Sequence, residues 1–234
     1  MPLLDHFRPP LDSRRNWHAF HNAWATFIAS DFNARLPEGY FAEPNVQFGI
    51  EIDVAAFGEA GPAPGERPGE GWTPPAPLAT IPLAIMTDSV EVAIFASEGG
   101  PVLAGALELV SPANKDRRAD RDAFTSKCAA YLQAGVGVVV VDVVTDRGGD
   151  LHAELMARLF APGAASSGGP LYAAAYRPVG REGQVELDIW REALALGGPL
   201  PVLPLWLKGG LCLPVDLGAT YDRTRRELRM AGGA

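Results

Sequence analysis

From Val136 to Val144 the chain reads Val-Gly-Val-Val-Val-Val-Asp-Val-Val. A run with almost no polar alternation fits a strand covered on both faces, which favours parallel pairing through a right-handed crossover. The segment before it can supply that crossover. Within Asp122 to Ala134, residues Phe124, Cys128, Tyr131 and Leu132 fall on one face of an amphipathic helix, and Gly135 ends it. Upstream stands a second apolar strand, Gly105 to Val110, joined by Ser111-Pro112-Ala113-Asn114-Lys115. Gly105 to Val144 is therefore expected to be a strand-loop-helix-strand unit, and the fold class α/β.

The rest of the chain is arranged around this unit. A first helix is expected after Asp12 or Ser13, either of which could cap it, carrying Trp17, Phe20, Trp24, Phe27 and Ile28 at helical spacing and ending near Leu36 to Gly39. Tyr40 to Val54 alternates as a half-buried strand, with Val46, Phe48, Ile50 and Ile52 on one side. Gly58 to Pro77 is dense in Gly, Pro, Ala and Glu and reads as an exposed insertion loop. Ser89 to Ser97 and Val102 to Val110 read as strands around a turn at Glu98-Gly99-Gly100-Pro101. After the valine strand come a helix, Asp150 to Phe160, a flexible stretch, 161–170, and strand-like segments at Leu171 to Pro178 and Val185 to Ala193. Pro199 to Pro214 is hard to read, and Tyr221 to Met230 resembles a short basic helix. At 234 residues the expectation is one domain, 1–234, with 171–234 as a C-terminal decoration.

Composition limits the function classes. Apolar residues make up 47% and charged residues 21%, as in ordinary globular domains. The two cysteines, Cys128 and Cys212, form neither a CxxC pair nor a disulfide framework, which fits a reducing compartment. No apolar run approaches a membrane span, and the N-terminus lacks a signal-peptide pattern, so a cytoplasmic protein with no membrane partner is expected. A net charge of -8 argues against a surface that attracts nucleic acid everywhere. Lys115, Arg117, Arg118, Arg121 and Lys127 nevertheless crowd into one window, either a solvated face or a local DNA contact. An acidic protein of this kind could also form a composite basic groove as a homodimer.

Glu108 is the residue that asks for chemistry. It stands in the otherwise apolar strand Gly105-Ala106-Leu107-Glu108-Leu109-Val110, and a carboxylate among apolar neighbours is costly unless a cation or hydrogen bonds compensate it. An edge-strand glutamate facing water is the plain alternative. His21 lies on the apolar stripe of the first helix and reads as a structural histidine, while His18 and His152 lack partners at zinc-ligand spacing.

Glu108-Leu109-Val110-Ser111-Pro112-Ala113-Asn114-Lys115, followed by Asp122, Lys127, Tyr131, Gly135-Val136 and the strand containing Asp142, resembles a bacterial family defined by an SPxNK segment. More distantly it is similar to PD-(D/E)XK restriction-endonuclease-like proteins. The resemblance extends loosely to Trp17 to His21 and to Ile52-Asp53-Val54. It implies a restriction-endonuclease-like core, with a mixed central sheet flanked by helices and additional C-terminal strands. It also implies a nuclease site in which two carboxylates hold Mg²⁺, or Mn²⁺, and a lysine polarises the attacking water or the phosphate. Carried over, Glu108 takes the (D/E) position, and Asp53, or in competition Glu91, takes that of the first Asp. These three are the candidate metal ligands. The family's E-x-K lysine is absent, since Val110 stands there. Its expected replacement is Lys127, about 80° from the centre of the helix's buried stripe and able to reach the strand ends. Lys115 is the second candidate, with a solvated loop lysine as the plain alternative. A nuclease-like scaffold without catalysis, serving as a binding or regulatory module, is the other implied reading.

Overall fold

The computed structural model describes residues 2–47, 51–58, 72–82, 102–160, 169–181 and 183–230; the side chains of 45–47, 51–58 and 82 are not part of the description. The expected strand Ser89 to Ser97, the turn at Glu98, Glu91, and most of the insertion loop and of 161–170 lie outside these residues.

A seven-stranded mixed sheet runs through the molecule in the order β1-β2-β4-β5-β6-β7-β3. Its strands are β1 (Tyr40–Gln47), β2 (Glu51–Gly58), β3 (Ala79–Pro82), β4 (Val102–Leu109), β5 (Gly137–Asp142), β6 (Tyr172–Arg181) and β7 (Gln184–Ala193). The helices are α1 (Trp17–Asn33), α2 (Pro112–Asp116), α3 (Arg118–Gln133), α4 (Leu151–Leu159) and α5 (Leu217–Glu227), and β8 (Val202–Trp206) and β9 (Cys212–Asp216) form a separate antiparallel pair. The chain is thus α/β, with a mixed sheet flanked by helices.

The sheet is buried on both faces, which explains the valine run. Leu107, Leu109, Val139, Val141, Ala173 and Ala175 face a core shared with Trp24, Ile28, Leu205, Val215 and Tyr221, that is, with α1, α5 and the β8–β9 pair. Ala106, Val110, Val138, Val140 and Ala174 face Phe124, Cys128, Leu132, Leu155 and Met156 of α3 and α4. β4 and β5 pair in parallel through the α2–α3 crossover, as expected. On its other side, however, β5 pairs antiparallel with β6. Double coverage by helices, which the valines report, does not fix the direction of both neighbours.

Several boundaries differ from expectation. Neither Asp12 nor Ser13 caps α1: Ser13 Oγ donates to Pro10 O at 3.1 Å, and Asn16 is the cap, its side chain accepting from His18 N at 2.9 Å. The expected strand Tyr40 to Val54 is two strands, β1 and β2, paired antiparallel with Val46 opposite Ile52. Apolar alternation runs unbroken through the reversal, so period alone cannot mark it. Ser111 to Lys115 is not a loop throughout. Asn114 accepts from both Ser111 N and Ser111 Oγ, a side-chain turn that starts the short helix α2. The segment after 171 is no decoration, because β6 and β7 are integral strands of the sheet. Within the hard-to-read segment the chain forms β8 and β9, and the terminal helix starts earlier than expected, at Leu217.

The β8–β9 pair packs on the sheet where two strands carry glycine. A Cβ on Gly105 would come within 2.6 Å of a Leu207 methyl, and one on Gly137 would collide with the Trp206 carbonyl oxygen. The leucine side chain can move; the backbone carbonyl cannot move without shifting β8. Gly137→Ala is therefore expected to destabilise the protein by about 1–3 kcal/mol or more through overpacking. Urea denaturation measures this, and an unchanged midpoint would show that β8 does not rest on β5 there.

Candidate active site

The site lies where the two parallel strands end. Glu108 pairs in register with Val140, and Asp142 stands two residues further along β5. Side chains two apart share a face, so Glu108 and Asp142 both point to the side of the sheet covered by α3 and α4. Each carries a lysine. Lys127 Nζ, from α3, donates to Glu108 Oε2 at 2.8 Å, and Lys115 Nζ, from α2, donates to Asp142 Oδ2 at 2.9 Å.

Both pairs are withdrawn from solvent. Glu108, Lys115 and Asp142 are 1%, 1% and 0% exposed, and the Lys127 side chain keeps 12%. The sheet makes this possible: Ala106, Val110, Val138 and Val140 surround the carboxylates with apolar surface, so that each anion gains an ammonium in place of water. Burial pushes the Asp142 carboxyl up to about 6, against the opposing pull of Lys115 and of a hydrogen bond from Val144 N; Asp150 adds slightly to the rise. Lys127 also lies 5.4 Å from the centre of the Phe124 ring.

The sequence-derived candidates separate clearly. Glu108 and Lys127 meet, the lysine reaching the strand end from the flank of its helix. Asp53 lies on β2, and Val54, its neighbour, pairs with Leu107, so the Asp53 backbone is one step beyond that pair in the direction of Glu108. Its side chain and the whole of Glu91 fall outside the description. Lys115 is not a solvated loop lysine but a fully buried one. Asp142, named in the sequence only as part of the motif and without a role, shows the signal that marks Glu108, a lone carboxylate in an apolar strand.

The basic window does not form a single surface. Its two lysines point inward, and Arg121 Nε binds Glu154 Oε1 at 2.7 Å, tying α3 to α4. Arg117 and Arg118 remain exposed. His21, as expected of a structural histidine, places Nε2 2.9 Å from the Leu109 carbonyl oxygen, linking α1 to the end of β4.

Among the described residues no group of three or more His, Cys, Asp or Glu side chains could hold a metal ion, and no helix is long and apolar enough to cross a membrane. The donors at hand are hard oxygens, which suit Mg²⁺ or Mn²⁺ rather than zinc. A cation at Glu108 would have to displace the Lys127 ammonium or share the carboxylate with it. Comparison of the chain with protein-family models, with curated proteins and with solved structures finds no match in any of the three.

Proposed function

We propose that this chain is a divalent-metal-dependent nuclease of the PD-(D/E)XK type, hydrolysing phosphodiester bonds with Glu108 and Lys127 at its centre. The observation that carries the reading is the 2.8 Å contact between Lys127 and Glu108 at the C-terminal end of a central parallel strand, the side of an open α/β sheet where ligands bind. The resemblance of the Ser111 to Lys115 segment and its surroundings to the SPxNK family and to restriction-endonuclease-like cores supports the same reading.

In it, Glu108 together with Asp53 or Glu91 would hold a Mg²⁺ ion, which would lower the pKa of an attacking water and neutralise charge on phosphorus. Lys127 takes the place of the missing E-x-K lysine. Its ammonium balances Glu108 before substrate arrives and turns to the phosphate oxygens when negative charge builds there. Arg117 and Arg118, exposed next to α3, would meet the backbone of a DNA substrate.

A second reading is favoured by a different observation. Glu108 is 1% exposed and its ammonium partner is already in place, as in a nuclease-like scaffold that has given up catalysis for binding or regulation. Incubation with plasmid and single-stranded DNA under Mg²⁺ and Mn²⁺ titration separates the two. Cleavage is expected in the wild type and a loss of at least about a hundredfold in Glu108→Gln and in Lys127→Ala. Cleavage that survives Glu108→Gln would remove the site assignment, and a wild type inert at every metal concentration would leave the scaffold.

A further inference from the structure

We infer that Lys115 and Asp142 are positioning residues of the Glu108–Lys127 site: their ion pair anchors α2 to the end of β5 and thereby holds Lys127 over Glu108. For its meaning in catalysis the inference rests on the nuclease reading; its geometry stands apart from it.

α2 is five residues long, and its single buried side chain is Lys115. No apolar residue of α2 is buried with it, so the helix is fixed to the sheet by a charge. The anchor is well defined, since both Asp142 oxygens are engaged: Oδ2 accepts from Lys115 and Oδ1 from Val144 N at 3.1 Å. Outside, Arg147 Nε reaches Asp116 Oδ1 at 3.3 Å, a half-exposed second tie between α2 and the loop after β5.

The anchor is transmitted through a short link. Only Arg117, extended at φ -120° and ψ 160°, separates α2 from α3, and its N–H donates to Asp120 Oδ2 at 3.1 Å in the first turn of α3. The start of α3 is therefore set by where α2 ends, and α3 carries Lys127. Lys115 thus closes the crossover on itself, tying the chain just past β4 to the last residue of β5, across the face on which Glu108 sits. A buried ion pair is seldom worth more to stability than apolar side chains of the same volume. Its use here is to fix geometry.

The test is a crystal structure of the double variant Lys115→Met/Asp142→Leu, which removes the two charges together. The start of α3 is expected to shift, and the contact between Lys127 Nζ and Glu108 Oε2, 2.8 Å in the wild type, to open beyond hydrogen-bond distance. Should that variant not fold, Lys115→Gln/Asp142→Asn serves, because it keeps the shape and the acceptor for Val144 N and leaves no buried charge unpaired. A pair with a purely structural role would lower the melting temperature and leave the Lys127–Glu108 contact in place, and that result overturns the inference. The measurement needs neither metal nor DNA, so a catalytically inert wild type would end the nuclease reading without touching it.

Discussion

Replacing Lys115 alone by methionine is expected to cost the fold about 3–5 kcal/mol at pH 8, the penalty of a buried carboxylate stripped of its cation. Asp142 has 0% exposure, and burial already raises its carboxyl to about 6 with the ammonium beside it. Without Lys115 the carboxyl must rise further. The pH dependence has a definite sign. A carboxyl whose folded pKa lies above its unfolded value binds protons more readily in the folded state, so stability falls as pH climbs through that window. Lys115→Met should therefore be least stable at pH 8 and recover part of its loss at pH 5, where Asp142 is protonated. The companion variant, Lys115→Met/Asp142→Leu, should return to within about 1–2 kcal/mol of the wild type, because it buries apolar atoms where the ion pair stood. Urea unfolding at the two pH values reads both. Equal losses in the single and double variants would mean that the methylenes of Lys115, and not its charge, fill the space.

The legibility of this chain followed the physics of its parts. The β4–α3–β5 unit was readable because valine runs and helical spacing report coverage, and coverage is what the core imposes. Glu108 was readable for the opposite reason, as a charge in the wrong surroundings. Asp142 offers the same cue but takes no role in the sequence reading, standing inside a run whose message is apolar. Lys115 stays open in the sequence, as a candidate or a solvated loop lysine, because sequence shows that a residue follows a strand, not that a four-carbon stem can reach a carboxylate 27 positions away on the next strand. Lys127 could be placed on its helix flank by angle alone, but its partner could not be known until β4 had a position. β8 and β9 were opaque because their prolines break the usual strand pattern. Pro204 and Pro214 stand opposite one another in a two-stranded ribbon, where each strand has a free edge.

Acidification from pH 7 to about 4.5 is expected to remove several kcal/mol of stability, and the source is two histidines outside the candidate site. His6 is packed among the rings of Phe20, at 4.2 Å between centroids, Trp17 and Tyr221, with Nε2 2.7 Å from the Tyr221 hydroxyl. Burial lowers its pKa to about 4, and Arg225 pushes in the same direction. His152 stacks on Tyr176, its Nδ1 2.7 Å from that hydroxyl, and burial followed by Arg191 lowers it also to about 4. Both are neutral in the fold at neutral pH and gain protons first in the unfolded chain. A histidine depressed in this way lends stability that is complete above its unfolded value of about 6.5 and is lost as pH falls towards 4, on the order of 3 kcal/mol each. Asp142 works against them between about 4 and 6, since its raised carboxyl takes up a proton in the folded state. Asp31, whose carboxyl burial also raises, acts in the same direction as Asp142, while Asp188, held down against burial by hydrogen bonds from Arg181 and Thr80, adds to the loss, and the balance favours loss. Denaturant midpoints from pH 7 to 4.5 should therefore fall in the wild type, fall less steeply in His6→Gln or His152→Gln, and fall more steeply in Lys115→Met/Asp142→Leu, which lacks the opposing carboxyl. Parallel profiles for the wild type, His6→Gln and His152→Gln would mean that the two imidazoles titrate in the fold as they do in water.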